Sequence, residues 1–301
     1  MENNPNKHIK SAVCFGEILW DLFPDGKRIG GAPFNVAKQL LQYGMHTKLI
    51  SAVGKDDHGY EIMEILKQNS IAIDSIQIKS SLPTGNVTVQ LDSYGSASYT
   101  ISKPVAWDAI EIKQKNEQLV ADSDVFVYGS LAARSGVSNN TLFELLEYAD
   151  FKVFDVNLRP PHFNFDLLQR LLLKADFIKF NDDELDLICS RFDLSAESIQ
   201  SKMLLISNKF NAESVVVTLG SKGASLLHKD HFFQSKSYKV DVKDTVGAGD
   251  AFLAALISSL ENNTEPQVAL NFACAMGALV ASKAGANPKI LESEINQLLK
   301  N

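Results

Sequence analysis

Asp244-Thr245-Val246-Gly247-Ala248-Gly249-Asp250 runs directly into the apolar stretch Ala251-Phe252-Leu253-Ala254-Ala255-Leu256-Ile257. A small polar turn with two glycines thus opens a helix. Glycine lets the backbone turn sharply and come close to a ligand. The first amides of a helix have no internal partner and point outward, so the turn suits an anion such as phosphate. Asp250 stands where the helix begins. Its carboxylate reads either as a helix cap or as a base beside a phosphoryl group in transfer. Two other phosphate motifs are excluded: no G-x-x-x-x-G-K-[ST] occurs, and Phe252 replaces the third glycine of G-x-G-x-x-G. The turn also lacks the strand–helix–strand surroundings of a dinucleotide fingerprint.

The 301 residues, 45% of them hydrophobic, suffice for one large α/β domain or two modest ones. A net charge of −7 offers no electrostatic footprint for nucleic acid or an anionic membrane. Cys14, Cys189 and Cys274 are far apart and form no C-x-x-C pair, which fits buried thiols in a reducing compartment. Met1–Lys7 is polar, without a signal-peptide core. The longest apolar stretch, Phe272 to Ala281, falls short of the ~20 residues that span a bilayer. A cytoplasmic protein is expected, without nucleic-acid or membrane partners.

Along the chain, apolar runs alternate with helical spacing. Ala12–Phe15, Lys48–Gly54, Val125–Tyr128, Lys152–Asn157, Phe177–Phe180 and Ser214–Leu219 read as buried strands. Gly30-Gly31-Ala32-Pro33-Phe34-Asn35-Val36-Ala37 opens a helix that stops at Gly44. Asn35, alone among apolar neighbours, needs a partner: either a nearby loop or a ligand hydroxyl. Lys55–Gly59 reads as a turn before a helix from Tyr60 to Gln68, with His58 solvated. Thr84 to Ile101 alternates and turns at Asp92-Ser93-Tyr94-Gly95, as a hairpin with one apolar face does. Asn181 with Glu184 fits a helix N-cap and its reciprocal acid. Gly220-Ser221-Lys222-Gly223 is a two-glycine hairpin turn. Arg159, past a strand end, is placed for phosphate or a sugar oxygen, with a salt bridge to Asp155 as the alternative. Strands alternating with helices imply an α/β fold with a mainly parallel sheet covered on both faces.

Asp244 to Asp250 match throughout the D-T-x-G-A-G-D hallmark of the ribokinase-like (pfkB) sugar kinases. Gly30–Ala37 matches that family's G-G-x-x-x-N-x-A, and Gly16-Glu17-Ile18-Leu19-Trp20-Asp21 resembles its first strand. Lys55–Gly59 resembles its G-x-D-x-x-G turn, Asn181–Glu184 its N-x-x-E, and Thr218–Gly223 its T-x-G-x-x-G. Asp155-Val156-Asn157-Leu158-Arg159 looks like the D-x-N-x-R of fructokinases and 2-keto-3-deoxygluconate kinases. Pro104–Asp108 with Gly129–Arg134 is most like fructokinases.

The resemblance implies a ribokinase-like fold: one domain over residues 1–301 with a small β-sheet lid from about 17–30 and 84–103. It implies an ATP-dependent sugar kinase acting on a primary hydroxyl, with fructose as the expected monosaccharide. The near alternatives are 2-keto-3-deoxygluconate kinase and ribokinase. A catalytically silent sugar or nucleotide sensor is the alternative of another class, and the intact Asp250 with its glycine turn argues against it. By the same likeness Asp250 is the base and the Gly247, Ala248 and Gly249 amides form the anion hole. Asp21, Gly31, Asn35 and Arg159 hold the sugar. Asn181, Thr218, Gly220, Gly223 and Asp244 serve the nucleotide, and Glu184 helps hold Mg2+ through water. A K+ site near Asp244, Val246 and the Ala284–Asn287 loop occurs in relatives and is left open here, since that loop is short. The lid hairpin offers a face for pairing with a second copy.

Overall fold

The computed structural model describes residues 9–91 and 97–300. Its strands, in chain order, are β1 (Ser11–Phe15), β2 (Leu19–Phe23), β3 (Gly26–Gly30), β4 (His46–Gly54), β5 (Ile76–Lys79), β6 (Gly85–Leu91), β7 (Ala97–Ile101), β8 (Val125–Gly129), β9 (Lys152–Asp155), β10 (Phe177–Asn181), β11 (Ser214–Thr218), β12 (Ala224–His228) and β13 (His231–Ser235). Nine of them form the central sheet in the order β13-β12-β11-β10-β9-β8-β1-β4-β5. From β5 to β11 the pairing is parallel; β12 and β13 add an antiparallel edge.

The apolar runs of these strands follow from burial on both faces. Successive side chains point to opposite sides. Val13 and Phe15 of β1, Phe126 and Tyr128 of β8, and Val215 and Val217 of β11 enter one core. Ala12 and Cys14, Val125 and Val127, and Val216 enter the other. The first core is covered by helices such as Phe165–Leu172 and Ile199–Phe210, the second by Ala32–Gln42, Ala248–Glu261 and Pro266–Ala281. Full burial of one such side chain is worth roughly 1.5–3 kcal/mol, which outweighs the modest propensity differences within a strand. The three cysteines are buried and free. Among the described residues no helix is long and apolar enough to cross a membrane.

A second sheet, in the order β3-β2-β6-β7, forms the lid. β2 pairs in parallel with β6 and antiparallel with β3. The expected turn at Asp92–Gly95 lies outside the described residues. One local expectation changes. Lys55–Gly59 is not a free turn: the helix starts at Asp57 and runs to Gln68. Asp56 caps it, accepting from the Gly59 amide at 2.8 Å, and also accepts from the Thr84 amide and hydroxyl at 2.8 and 2.6 Å. The cap therefore pins the start of β6 to the main body. His58 is half-buried rather than solvated, with its ring 6.2 Å from that of Trp20 on β2.

Candidate active site

The parallel strands deliver their chemistry at their C-terminal ends, where open α/β sheets bind ligands. Glu17 lies two residues beyond β1. Asn157 and Arg159 follow β9, and Asn181 and Thr218 end β10 and β11 side by side. The helix Ala248–Glu261 starts over this edge, and the lid closes it from above. Between them lies a cavity of about 590 Å³. Glu17, Asp21, Asn35, Arg159, Lys179 and Asp250 give it its polar wall. Leu19, Phe23, Val87 and Ile101 of the lid give it an apolar roof. Leu19, Asp21 and Phe23 share one face of β2 because they alternate with residues facing away.

The helix start is built for close approach. Gly247 is the N-cap, with φ 78°, and a Cβ there would stand 2.3 Å from the Ala286 carbonyl oxygen. A side chain is excluded on both counts. The Ala248 amide donates to the Thr245 carbonyl at 3.2 Å, whereas the amides of Gly247, Gly249 and Asp250 make no hydrogen bond among the described residues. A Cβ at Gly249 would lie 3.5 Å from Lys179 Nζ, so the ammonium sits directly under the turn. Free amides, a helix N-terminus and a cation converge on one point.

Asp250 is the third residue of that helix and does not cap it. Its Oδ2 accepts from Asn35 Nδ2 at 2.8 Å. Burial pushes its carboxyl up to about 6, Asp155 adds to this, and Asn35, Lys179 and Arg159 oppose it. Asp21, on the lid, is also pushed up to about 6, mainly by burial, with Arg159 and Arg28 opposing. Gly30 beside it leaves the room: a Cβ there would meet Asp21 Oδ2 at 2.3 Å. Gly31, φ 112°, lets the next helix start against the Glu17 carbonyl. Beneath the turn, Lys179 and Asp155 form a buried ion pair at 2.7 Å. Burial pulls Lys179 down, but Asp155, Glu184 and Asp250 together hold its ammonium above the ordinary lysine range.

Residues 13–293 match the family model described as pfkB family carbohydrate kinase. The chain belongs to that family. Among its relatives is a probable fructokinase-4 of Arabidopsis thaliana, 29% identical over 318 residues that cover 96% of each chain. The fructokinase of Salmonella typhimurium is 30% identical over 291 residues, covering 90% of this chain and 93% of that one. In three dimensions the chain is similar to the fructokinase of Xylella fastidiosa with bound ATP, at TM-score 0.83 and 22% identity, covering 97% and 99%. It is similar too to the fructokinase of Vibrio cholerae O395 in its fructose-, ADP- and calcium-bound form, at TM-score 0.80 and 25% identity, covering 97% and 99%. The mainly parallel sheet with its four-stranded lid is thus a ribokinase-like fold.

In this pfkB kinase the residues expected to touch sugar, Asp21, Gly31, Asn35 and Arg159, meet around one cavity with Gly247, Gly249 and Asp250. The residues expected at the nucleotide stand apart from it. Thr218 Oγ1 donates to the Phe180 carbonyl at 3.4 Å, and Gly220 and Gly223 follow β11 with φ 54° and 100°. Asp244 accepts from the Val246 amide at 3.0 Å and the Gly285 amide at 2.9 Å, tying the glycine turn to the loop that follows the helix Pro266–Ala281. Asn181 and Glu184 form the reciprocal cap. Glu184 Oε1 also accepts from the Leu158 amide at 2.8 Å, so its carboxylate fastens the Arg159 loop to β10. The Arg159 guanidinium forms no ion pair among the described residues; Asp155 is taken by Lys179 instead.

Among the described residues no three His, Cys, Asp or Glu side chains cluster as a metal cage. Glu184, the residue expected to help hold Mg2+ through water, has both carboxylate oxygens engaged by the Leu158 and Asn181 amides, which leaves it one carboxylate standing behind the edge rather than part of a cage. Pro104–Asp108 and Gly129–Arg134 are fastened together. Arg134 makes a bidentate pair with Asp108 at 2.7 and 2.9 Å and lies 3.9 Å over the Trp107 ring. These stretches shape the wall more than they line it; of them Leu131 reaches the cavity. Motif reading passed over Lys179, Asp155 as its partner, Asn287 and Glu17. The signal for Lys179 was a charge inside an apolar parallel strand, where unpaired charges are not tolerated.

Proposed function

We propose that this pfkB kinase transfers the γ-phosphoryl group of ATP to a primary hydroxyl of fructose. The observation that carries the reading is Asp250. A half-buried carboxylate, oriented by Asn35, stands beside the free amides of a helix N-terminus and faces a roofed polar cavity. Asp250 takes the hydroxyl proton as the hydroxyl oxygen bonds to the γ-phosphorus and the bond to the ADP oxygen breaks. The amides of Gly247 and Gly249, with Lys179 below them, stabilise the charge on the moving group. Asp21, Asn35, Gly31 and Arg159 position the sugar, while the apolar lid residues exclude water that would otherwise accept the phosphoryl group. Asn181, Thr218, Gly220 and Gly223 place the nucleotide at the neighbouring strand ends. Mg2+ brought with the nucleotide would neutralise its phosphates, and Glu184 is the residue that would help hold it, through water.

Fructose is favoured over ribose and 2-keto-3-deoxygluconate by relatives that are named fructokinases along nearly the whole chain. Coupled measurement of ADP release over these three sugars, with a no-sugar control, tests the reading. Fructose should give the highest kcat/KM. No release would leave the catalytically silent sensor of the same fold, and release independent of sugar would make water, not a sugar, the acceptor.

A further inference from the structure

Four carboxyls and two cations meet around the cavity. Asp155 is engaged by Lys179 at 2.7 Å, and Arg159 is left to balance Glu17, Asp21 and Asp250. The acids outnumber the cations, so a neutral acid within the wall relieves the repulsion. Glu17 is the most deeply buried of the three acids left to Arg159. It is 4% exposed, its Oε2 is buried without a hydrogen-bond partner, and no cation forms an ion pair with it among the described residues. A buried carboxylate in that condition is costly, whereas a protonated one is a hydrogen-bond donor in need of an acceptor.

Among the ionisable groups of the sugar wall none other is a neutral donor; the neutral donors beside them are the Asn35 and Asn157 amides and the Thr245 hydroxyl. Ionised Asp21 and Asp250 only accept, and Arg159 and Lys179 only donate while adding charge. We propose that Glu17 is a sugar-recognition residue that works as a neutral acid, donating its O–H to a hydroxyl oxygen of the sugar bound beside Asp250. This rests on the reading of the cavity as a sugar site. Burial pushes the Glu17 carboxyl up to about 7; its own amide, Arg159 and the Ala32 amide oppose the rise, and Asp250 adds to it. The donor is therefore present below pH 7 and lost as pH rises through it, when a carboxylate would face Asp250 as a like charge.

Calorimetric titration of fructose into wild-type protein, Glu17→Gln and Glu17→Ala at pH 6.5 and 8.5 tests this. Glutamine keeps the shape and a donor without a proton to lose. The wild type should weaken roughly tenfold between the two pH values, since an acid near pH 7 is mostly deprotonated at the higher one. Glu17→Gln should stay within about threefold of the wild type at pH 6.5 and not weaken on going to 8.5, because an amide also donates. Glu17→Ala should bind weakly at both. Titration of Asp21 and Asp250 acts on wild type and Glu17→Gln alike, so the difference between them belongs to Glu17. The same loss in Glu17→Gln as in wild type, a wild type flat with pH, or full affinity in Glu17→Ala would each overturn the assignment. If Glu17→Ala does not fold, the other pair decides alone. A wild type that binds none of fructose, ribose or 2-keto-3-deoxygluconate at either pH would instead remove the sugar-site reading beneath it.

Discussion

Asn35 and Asp250 stand 215 residues apart in the chain, and the Asn35 amide donates to the Asp250 carboxylate over 2.8 Å. The amide cannot turn the other way. Its oxygen accepts from Asn287 at 2.6 Å, and the Asn287 oxygen accepts from Gln39 at 3.4 Å. A chain of three side-chain amides therefore fixes the orientation of one carboxylate. Asn35 is as much a positioning residue for Asp250 as a part of the cavity wall.

Asn35→Ala should move the acid limb of the kcat–pH profile upward. The hydrogen bond favours the ionised form of Asp250, whose carboxyl lies at about 6. As the proposed base Asp250 acts in that form, so activity should be present above pH 6 and lost as pH falls through it. Removing a bond to a charged group, worth about 1.5–3 kcal/mol, should raise the limb by on the order of one pH unit. Asp155→Asn should move it the opposite way, because Asp155 raises the Asp250 carboxyl. Identical limbs in all three proteins would remove both couplings.

Asp250→Asn should lower kcat by ~10²–10⁴-fold, the usual cost of a lost general base, while ATP and sugar still bind. Asparagine keeps the volume and can still meet Asn35. A variant that retains more than a tenth of wild-type kcat would show that the proton leaves by another route.

Much of this was legible in the sequence, and for local reasons. Val125–Tyr128 and Ser214–Leu219 could only be buried strands, and Gly247 with Gly249 could only be a close turn. Asn181 and Glu184 announce their cap by spacing alone. Other features were not legible because they join distant segments. Nothing near Asn35 in the sequence points to Asp250 or Asn287, and nothing near Asp56 points to Thr84. Pro104–Asp108 and Gly129–Arg134 were legible as fructokinase-like stretches, but not that Arg134 and Asp108 close on one another as a buried clamp. The helix begins at Asp57, ahead of the expected Tyr60, because Asp56 caps it and is held in place by Thr84 from 28 residues away.

Lys179→Met should destabilise the fold by about 3–5 kcal/mol, the cost of stripping one partner from a buried ion pair and leaving Asp155 unpaired. Adding Asp155→Leu should recover much of that loss, since an apolar pair needs no solvation. Urea midpoints of the single and double variants measure it. A double variant less stable than the single one would mean that the pair is held by more than its mutual charge. Neither variant should retain normal turnover, as Lys179 lies under Gly249.

Gly247→Ala should disturb the anion turn, and Gly44→Ala should not. Both glycines have positive φ, 78° and 82°, so both substitutions carry backbone strain of about 1–3 kcal/mol. At Gly44 a Cβ meets nothing within 4 Å, whereas at Gly247 it meets the Ala286 carbonyl oxygen at 2.3 Å. The loop holding Ala286 also holds Asn287, so displacement there reaches Asn35 and Asp250. Thermal midpoints should fall in both variants, with kcat falling only in Gly247→Ala. A fall in kcat for both would make general softening, not the turn, the cause.

Arg159 is the residue on which the choice of substrate can be tested. Its guanidinium lines the cavity and has no ion-pair partner among the described residues, so it is free for a ligand. Against fructose it can meet only hydroxyls or the incoming phosphate. Against 2-keto-3-deoxygluconate it can form a bidentate pair with the carboxylate, among the stronger polar contacts. Two carboxylates in the same wall, Asp21 and Asp250, argue for the neutral sugar, because an anionic one would meet them as well. Fructose should therefore be the better substrate in a side-by-side assay, and Arg159→Ala should lower its kcat/KM by on the order of tenfold, as expected for one hydrogen bond from a charged group. Arg159→Lys should restore only part, since an ammonium lacks the planar fork. A clear wild-type preference for the keto-acid, abolished by Arg159→Ala, would sink the fructose assignment and leave the kinase chemistry of Asp250 standing.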